Sequence, residues 1–351
     1  MDAAGRTREA PPHPVRSPQA TPTRPAPPRT PVHPPLVPAL TATAKHHAHA
    51  PRTLTCPCRP TDPPHAVLAN RPDATVVRHG HVVAKAHAPG TPEPALRARL
   101  ATAAHPALAG TLLAPLTPQP TRLHDRLVTL WPHGTPVDRD TPAAAPWEAA
   151  GTLLARLHRT PPAQLPHPLP EMRGPEKAAR AVARLRATAP HLDTPAVERA
   201  WAGLPPWARG EAPAPAPARL CHGDLHLGQL VRAAGGDWLL IDVDDLGTGD
   251  PAWDLARPAA WYALGLLPRE AWGRFLGAYW AAGGPAVPAD GSDPWPGLDA
   301  PARALTAQTA ARAIAKATAE GRPLDEVERA FADACHRMAT NPPEQAPTGT
   351  K

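Results

Sequence analysis

Lysine and the smaller aromatics are scarce in this chain of 351 residues: it holds two Phe, two Tyr and five Lys, against 32 Arg. Each lysine that is kept is therefore informative, because arginine replaces it wherever only a positive charge is needed. The four cysteines, Cys56, Cys58, Cys221 and Cys335, do not form a disulfide framework. Reduced thiols in a soluble, cytoplasmic protein are expected. No run approaches the roughly 18 apolar residues of a membrane span, and the start lacks the apolar core of a secretory signal. The same Arg-containing start is too rich in proline for the amphipathic helix of an organelle transit peptide. A folded basic stripe interleaved with aromatics is missing too. The net charge is +6, but a good share of the excess sits in the first 60 residues. A nucleic-acid-binding domain is thereby excluded, and the oligomeric state is left open.

Proline is what the chain has in excess, with 54 residues. Seventeen of them fall in residues 1–64, which show neither a helical nor an alternating period, so a disordered tail is expected there. His46, His47, His49, Cys56 and Cys58 in this tail are metal-capable types, yet their spacing matches no paired-ligand zinc site. Order is expected from His65. The runs Ala74–Arg78 and His81–Lys85 flank His79-Gly80 as a hairpin. Glu93–Ala104, with Pro94 near its start, predicts a helix. Leu112-Leu113 and Leu127–Leu130 are further strand candidates. From Trp147 the period becomes helical, with Trp147, Ala150, Leu153, Leu154 and Leu157 on one face. Between 161 and 218 one helix is predicted, over Pro175–Thr188, and after 263 helices broken by Gly and Pro. The expected organisation is a small β-rich lobe at 65–131, a helical lobe at 132–339, and tails at 1–64 and 340–351.

The chemistry concentrates in Leu220-Cys221-His222-Gly223-Asp224-Leu225-His226-Leu227-Gly228-Gln229-Leu230, a Gly235-Gly236 turn, and Trp238-Leu239-Leu240-Ile241-Asp242. Polar groups this dense between apolar runs are costly to bury without partners, so they read as a site. Phosphoryl transfer needs a carboxylate to position and deprotonate a hydroxyl, and oxygen ligands for magnesium on the phosphates. Asp224, Gln229 and Asp242 supply those groups. Gln229 lies five residues after Asp224, and Asp242 follows on the next hairpin, the spacing of a protein-kinase catalytic loop and its metal-binding aspartate.

His-Gly-Asp-Leu-His, then Ile-Asp, then Gly249-Asp250-Pro251-Ala252-Trp253-Asp254-Leu255-Ala256 resembles the aminoglycoside phosphotransferase and choline kinase family over about residues 65–335. The resemblance implies an α+β, two-lobed, protein-kinase-like fold and an ATP- and Mg2+-dependent kinase acting on a small-molecule hydroxyl. It also implies roles. Asp224 resembles the catalytic base, Gln229 the amide magnesium ligand and Asp242 the main magnesium ligand. Lys85, in Val82-Val83-Ala84-Lys85, resembles the strand lysine on the α and β phosphates. Leu130–Gly134 looks like the interlobe hinge against the nucleotide. Glu93, the only acid between Lys85 and Asp125, is the candidate partner of Lys85. Asp250 and Asp254 fit structural loop positions, and Gly151–His158 matches the family's Leu-Ala-x-Leu-His helix. Asp244 and Asp245 read as surface acids or auxiliary ion ligands, and His222 and His226 as structural, one of them bracing the loop.

Two departures bear on activity. Gln229 stands where the family usually has Asn, as in the maltokinase branch, and no Gly-x-Gly-x-x-Gly loop precedes Lys85. The alternatives are a kinase-like module that binds nucleotide with little or no turnover, and a metal-dependent hydrolase using His222-x-Asp224-x-His226 with Asp242. A sugar, an aminoglycoside or an amino alcohol are the acceptor classes. Sugar ranks first, because eight of the ten Trp lie after residue 200 and tryptophan faces suit sugar rings as well as core packing.

Overall fold

The computed structural model describes residues 35–49 and 66–340, apart from 167, 189 and 215–217. Its first element lies where a tail was expected: helix α1, Leu36–Ala48. Pro38 falls in the first turn, where a missing N–H costs nothing. The rest of segment 1–64, including Cys56 and Cys58, lies outside the described residues. A helix of 13 residues is marginal alone in water, and packing is what holds this one. Leu40, Ala44 and Ala48 are buried against Val77, Val82, Ala84, Ala86, Val128 and Leu130 of the following sheet. Leu40→Ala should leave a cavity there and lower unfolding free energy by about 2–3 kcal/mol. Urea denaturation reads this directly, and an unchanged midpoint would mean that α1 does not dock on the sheet.

That sheet contains β1 (Ala66–Asn70), β2 (Ala74–His79), β3 (Val82–His87), β4 (Thr121–Leu123) and β5 (Arg126–Pro132), all antiparallel in the order β1-β2-β3-β5-β4. The β2–β3 turn is Gly80-His81, one residue later than the expected break, with Gly80 at φ +56°, as such tight hairpins require. Strand alternation puts Val82, Ala84 and Ala86 on the α1 face and Val83, Lys85 and His87 on the other. Between β3 and β4 runs α2, Glu93–Ala103. Leu112-Leu113 does not become a strand. After Gly110, at φ +74°, Leu112 makes a single bridge to Leu240, and Pro115 follows.

The helical part contains α3 (Trp147–Arg159), α4 (Gly174–Arg186), α5 (Thr194–Ala202), α6 (Ala252–Ala263), α7 (Arg269–Ala281), α8 (Trp295–Glu320) and α9 (Glu326–Thr340). Helix α5 was not expected, because prolines on both sides hide its period. Ala196, Val197, Ala200 and Trp201 nevertheless form one buried face. Pro258 and Pro301 lie inside α6 and α8 rather than ending them. Gly151 lets α3 approach α7 so closely that a Cβ would stand 2.2 Å from the Phe275 carbonyl oxygen. Short strands carry the polar segment across this part. In chain order they are β6 (Thr135–Pro136), β7 (Arg219–Cys221), β8 (Leu230–Arg232), β9 (Trp238–Leu240) and β10 (Gly247–Gly249), paired as β6-β8-β9 and β10-β7. Thus the polar loop follows β7 and Asp242 follows β9. No helix among the described residues is long and apolar enough to cross a membrane.

Candidate active site

Three buried hydrogen bonds shape the loop after β7. The Asp254 carboxylate accepts the main-chain N–H of His222 at 2.6 Å, the N–H of Gly223 at 2.7 Å, and His158 Nε2 at 2.9 Å. His158 in turn meets the Tyr279 hydroxyl at 2.8 Å through Nδ1. One polar chain therefore runs from α7 through α3 and α6 into the loop. His158, Cys221 and Asp254 come together in the core, but hydrogen bonds already occupy both nitrogens of His158 and both oxygens of Asp254. Gly223 sits at φ +85°, and a Cβ there would lie 2.5 Å from the Asp245 carbonyl oxygen, so only glycine fits both the conformation and the approach.

Both histidines of the motif brace the loop, where only one was expected to. His222 Nε2 donates to the Ile241 carbonyl at 2.7 Å, and Nδ1 faces the Asp224 N–H at 3.4 Å. Both ring nitrogens are thus engaged in bracing the loop. His226 Nδ1 accepts the Gly228 N–H at 3.0 Å. Burial and the adjacent Arg257 push the His226 pKa down to about 4, against the opposing pull of Asp224.

Asp224 is gripped by two cations. Lys177 Nζ of α4 stands 2.8 Å from Oδ2, and Arg257 Nη2 of α6 stands 2.6 Å from Oδ1. Arg257 also donates to the Leu225 carbonyl at 3.2 Å. Burial alone would raise the Asp224 pKa, but Lys177 and then Arg257 outweigh it and hold the value near 2. Because this lies below the ordinary 3.8, the ionised form is favoured by folding. Its contribution, about 2 kcal/mol, is complete well above pH 4 and is lost as pH falls towards 2. Urea unfolding at pH 5 and pH 3 should therefore show an acid loss of stability that Asp224→Asn reduces. An identical loss in both proteins would contradict the pairing.

Asp242, two residues past β9, has φ +64°, a left-handed conformation unusual outside glycine and tolerated best by Asp and Asn. Its Oδ1 lies 2.7 Å from Lys85 Nζ, and its Oδ2 accepts from Gln229 Nε2 at 3.3 Å. The amide nitrogen of Gln229 thus faces Asp242, leaving its carbonyl oxygen for another partner. A carboxylate beside an amide oxygen is a hard donor set that suits magnesium. Lys85, Gln229 and Asp242 therefore meet at one place. Asp224 joins them through the loop, since His222 links its main chain to Ile241 and His226 feels both acids.

Two expectations are corrected. Glu93 does not reach Lys85. It lies on the outer side of α2, with Arg97 at 2.7 Å and Arg122 at 2.8 Å, and these bonds lower its pKa. Lys85 pairs instead with Asp244, 2.9 Å away, which also holds His87 Nδ1 at 3.2 Å. Burial would depress Lys85, but Asp242 and Asp244 raise its pKa overall. Leu130 is not exposed towards a nucleotide. Its side chain is buried against α1, and its carbonyl accepts the Leu116 N–H at 2.8 Å. Strand pairing continues to Pro132, so the chain is not yet free at Leu130.

Sequence reasoning passed over Lys177, Arg257 and Arg99. Lys177 carries the signal that singled out Lys85, a lysine kept in an arginine-rich chain. It joins Asp224 to the buried Asp245, so Asp245 is not a surface acid. Arg99 of α2 donates to the Leu246 carbonyl at 2.8 Å. This bond ties α2 to the loop after Asp242, the link that Glu93 was expected to supply through Lys85.

Residues 70–300 match the phosphotransferase enzyme family known as APH. No functionally curated protein matches the chain. Among solved structures, a choline/ethanolamine kinase family protein from Mesorhizobium loti is similar at 17% identity and TM-score 0.52, over 87% of this chain and 95% of that one. A thermostable mutant of aminoglycoside phosphotransferase APH(4)-Ia gives 13% identity and TM-score 0.55, over 79% and 95%. Spectinomycin phosphotransferase APH(9)-Ia, in complex with ADP and spectinomycin, gives 13% and 0.51, over 78% and 88%. At such identities these likenesses speak for the fold, which is the kinase-like one the motifs imply.

Proposed function

The chain belongs to the phosphotransferase enzyme family, whose activity is phosphate transfer to a small-molecule hydroxyl, and on that footing we propose that it moves the γ-phosphate of ATP, with Mg2+, onto a hydroxyl of a sugar, an aminoglycoside or an amino alcohol. The observation that carries the reading is the convergence of Lys85, Gln229 and Asp242, with Asp224 on the braced loop beside them.

Asp224 accepts the hydrogen bond of the acceptor hydroxyl and takes its proton as the new oxygen–phosphorus bond forms and the bond to the β-phosphate oxygen breaks. Ionised down to about pH 2, it is a weak base, which suffices for a loose transition state that releases the proton late. Asp242 and the Gln229 carbonyl would hold magnesium, which when bound with ATP supplies charge neutralisation on the phosphates. Lys85, kept charged by its two acids, would offer its ammonium to the α and β phosphates. His222 keeps the loop and the Asp242 strand end in register.

The test is ADP formation with magnesium across sugars, aminoglycosides, macrolides and choline-like alcohols, with Asp224→Ala as control. Acceptor-dependent turnover lost in the variant is expected. Equal turnover in both proteins would sink the role of Asp224. Nucleotide-dependent thermal stabilisation without transfer to any acceptor would instead mark a binding module.

A further inference from the structure

One ammonium joins two acids beside the catalytic loop. Lys177 Nζ of α4 stands 2.8 Å from Asp224 and also holds the buried Asp245. We infer that Lys177 is a positioning residue for phosphate transfer: fixed by Asp245, it keeps Asp224 turned to receive the acceptor hydroxyl and remains beside it as a positive charge once the proton has moved. The inference rests on the kinase reading above and adds to it a residue that lies outside the motif.

The first ground is that neither α4 nor its packing accounts for this lysine. Ala178, Ala181, Val182 and Leu185 bury one face of α4 in the core it shares with α8, so the helix is seated without Lys177. The residue lies in the first turn of α4, at the positive end of the helix dipole, where a cation is disfavoured. Burying an ammonium with carboxylates also gives little net stability over well-packed apolar side chains. The choice of lysine points the same way in a chain with five Lys and 32 Arg. A single Nζ can meet both acids at one point, whereas a planar guanidinium must divide them among its nitrogens.

The second ground is how the anchor is held. The main-chain carbonyl of Asp245 accepts the Arg173 N–H at 3.2 Å, just before α4, and the same oxygen lies where a Cβ on Gly223 would stand. Lys177 therefore sits where α4, the loop of Asp224 and the segment after Asp242 come together. During transfer the hydroxyl proton passes to Asp224, the phosphoryl group to the acceptor oxygen, and the electron pair of the broken bond to ADP. Asp224 is then neutral and its pull on Lys177 weakens. Asp245 keeps the ammonium in place, so a fixed positive charge stays next to the site of transfer, where it is useful. Arg257, by contrast, has the Leu225 carbonyl as its other partner.

The experiment compares the full-length wild type with Lys177→Met, Lys177→Arg, and Lys177→Met combined with Asp245→Asn, using Mg-ATP and the acceptor panel above. ADP formation gives kcat and KM, and the thermal shift with Mg-ADP gives nucleotide binding. Lys177→Met alone leaves Asp224 and Asp245 facing each other uncompensated, so it should lose stability as well as activity. The double substitution removes that repulsion. It should melt near the wild type and bind Mg-ADP equally well, yet still show kcat lowered about 10²-fold with the ATP KM within about threefold of wild type. Lys177→Arg should recover part of the lost kcat. A lysine that only staples α4 would give a different pattern, with kcat restored in the double variant together with the melting temperature. That pattern overturns the inference, as does a loss confined to the ATP KM or an Arg variant no more active than the Met one. Failure of the wild type to phosphorylate any acceptor of the panel would instead remove the kinase reading, and the role of Lys177 with it.

Discussion

Asp224→Asn is expected to lower kcat by roughly 10²–10⁴-fold, the range for removing a positioned general base. The carboxylate is replaced by an amide of the same shape, so hydroxyl positioning is partly kept while the proton loses its acceptor. Lys177 and Arg257 lose their shared counter-charge, and Lys177 keeps only Asp245. The variant should therefore still bind nucleotide, because Lys85, Gln229 and Asp242 lie outside this cluster. Single-turnover kinetics and a nucleotide thermal shift separate the two effects. Activity within threefold of wild type would exclude Asp224 as the base. The wild-type pH profile is a companion measurement: Asp224 titrates near 2, so any acid limb between pH 5 and 7 must come from another group.

Replacing Asp254 by Ala should have the largest effect on stability, about 3–5 kcal/mol. Three buried donors lose their acceptor together: the His222 and Gly223 N–H groups and His158 Nε2. None can reach water where it stands, so the full desolvation cost appears. The loop that carries Asp224 would relax as well, and activity should fall even at temperatures where the protein is folded. Thermal melting and urea unfolding, alongside turnover at 15 °C and 25 °C, test this. An unchanged melting temperature would mean that the loop is held by its main chain alone.

The legible part of the site was the part contiguous in the chain. Asp224, Gln229 and Asp242 lie on one loop and one hairpin, so local spacing determines their approach. Lys85 was legible for another reason, the scarcity of lysine. Its partner was not. Glu93 stood at a sequence position that suited the pairing, but the rotation of α2 turns it outward to Arg97 and Arg122. Asp244, more than 150 residues away from Lys85 in the sequence, takes the role. Helix α1 escaped notice because its proline-rich setting suggests disorder and its stability comes from the sheet it covers. Leu130 escaped for the converse reason. It reads as apolar either way, and strand alternation alone does not tell the α1 face from the cleft face.

The sequence by itself determined the local arrangement of the candidate site: an acid, an amide and a second acid at fixed spacing, joined by loop-bracing histidines and by the helix motif ending at His158. Short-range geometry is enough to set such relations. Only the tertiary structure decided what surrounds them, namely the grip of Lys177 and Arg257 on Asp224, the capture of Lys85 by Asp244, and the tie of Arg99 to the Leu246 carbonyl. These groups come from α2, α4, α6 and the segment after β9, and their meeting depends on how each helix is rotated and seated. Helix rotation follows the burial of many weakly specific alanine and leucine contacts, a sum over the whole core that no local pattern contains.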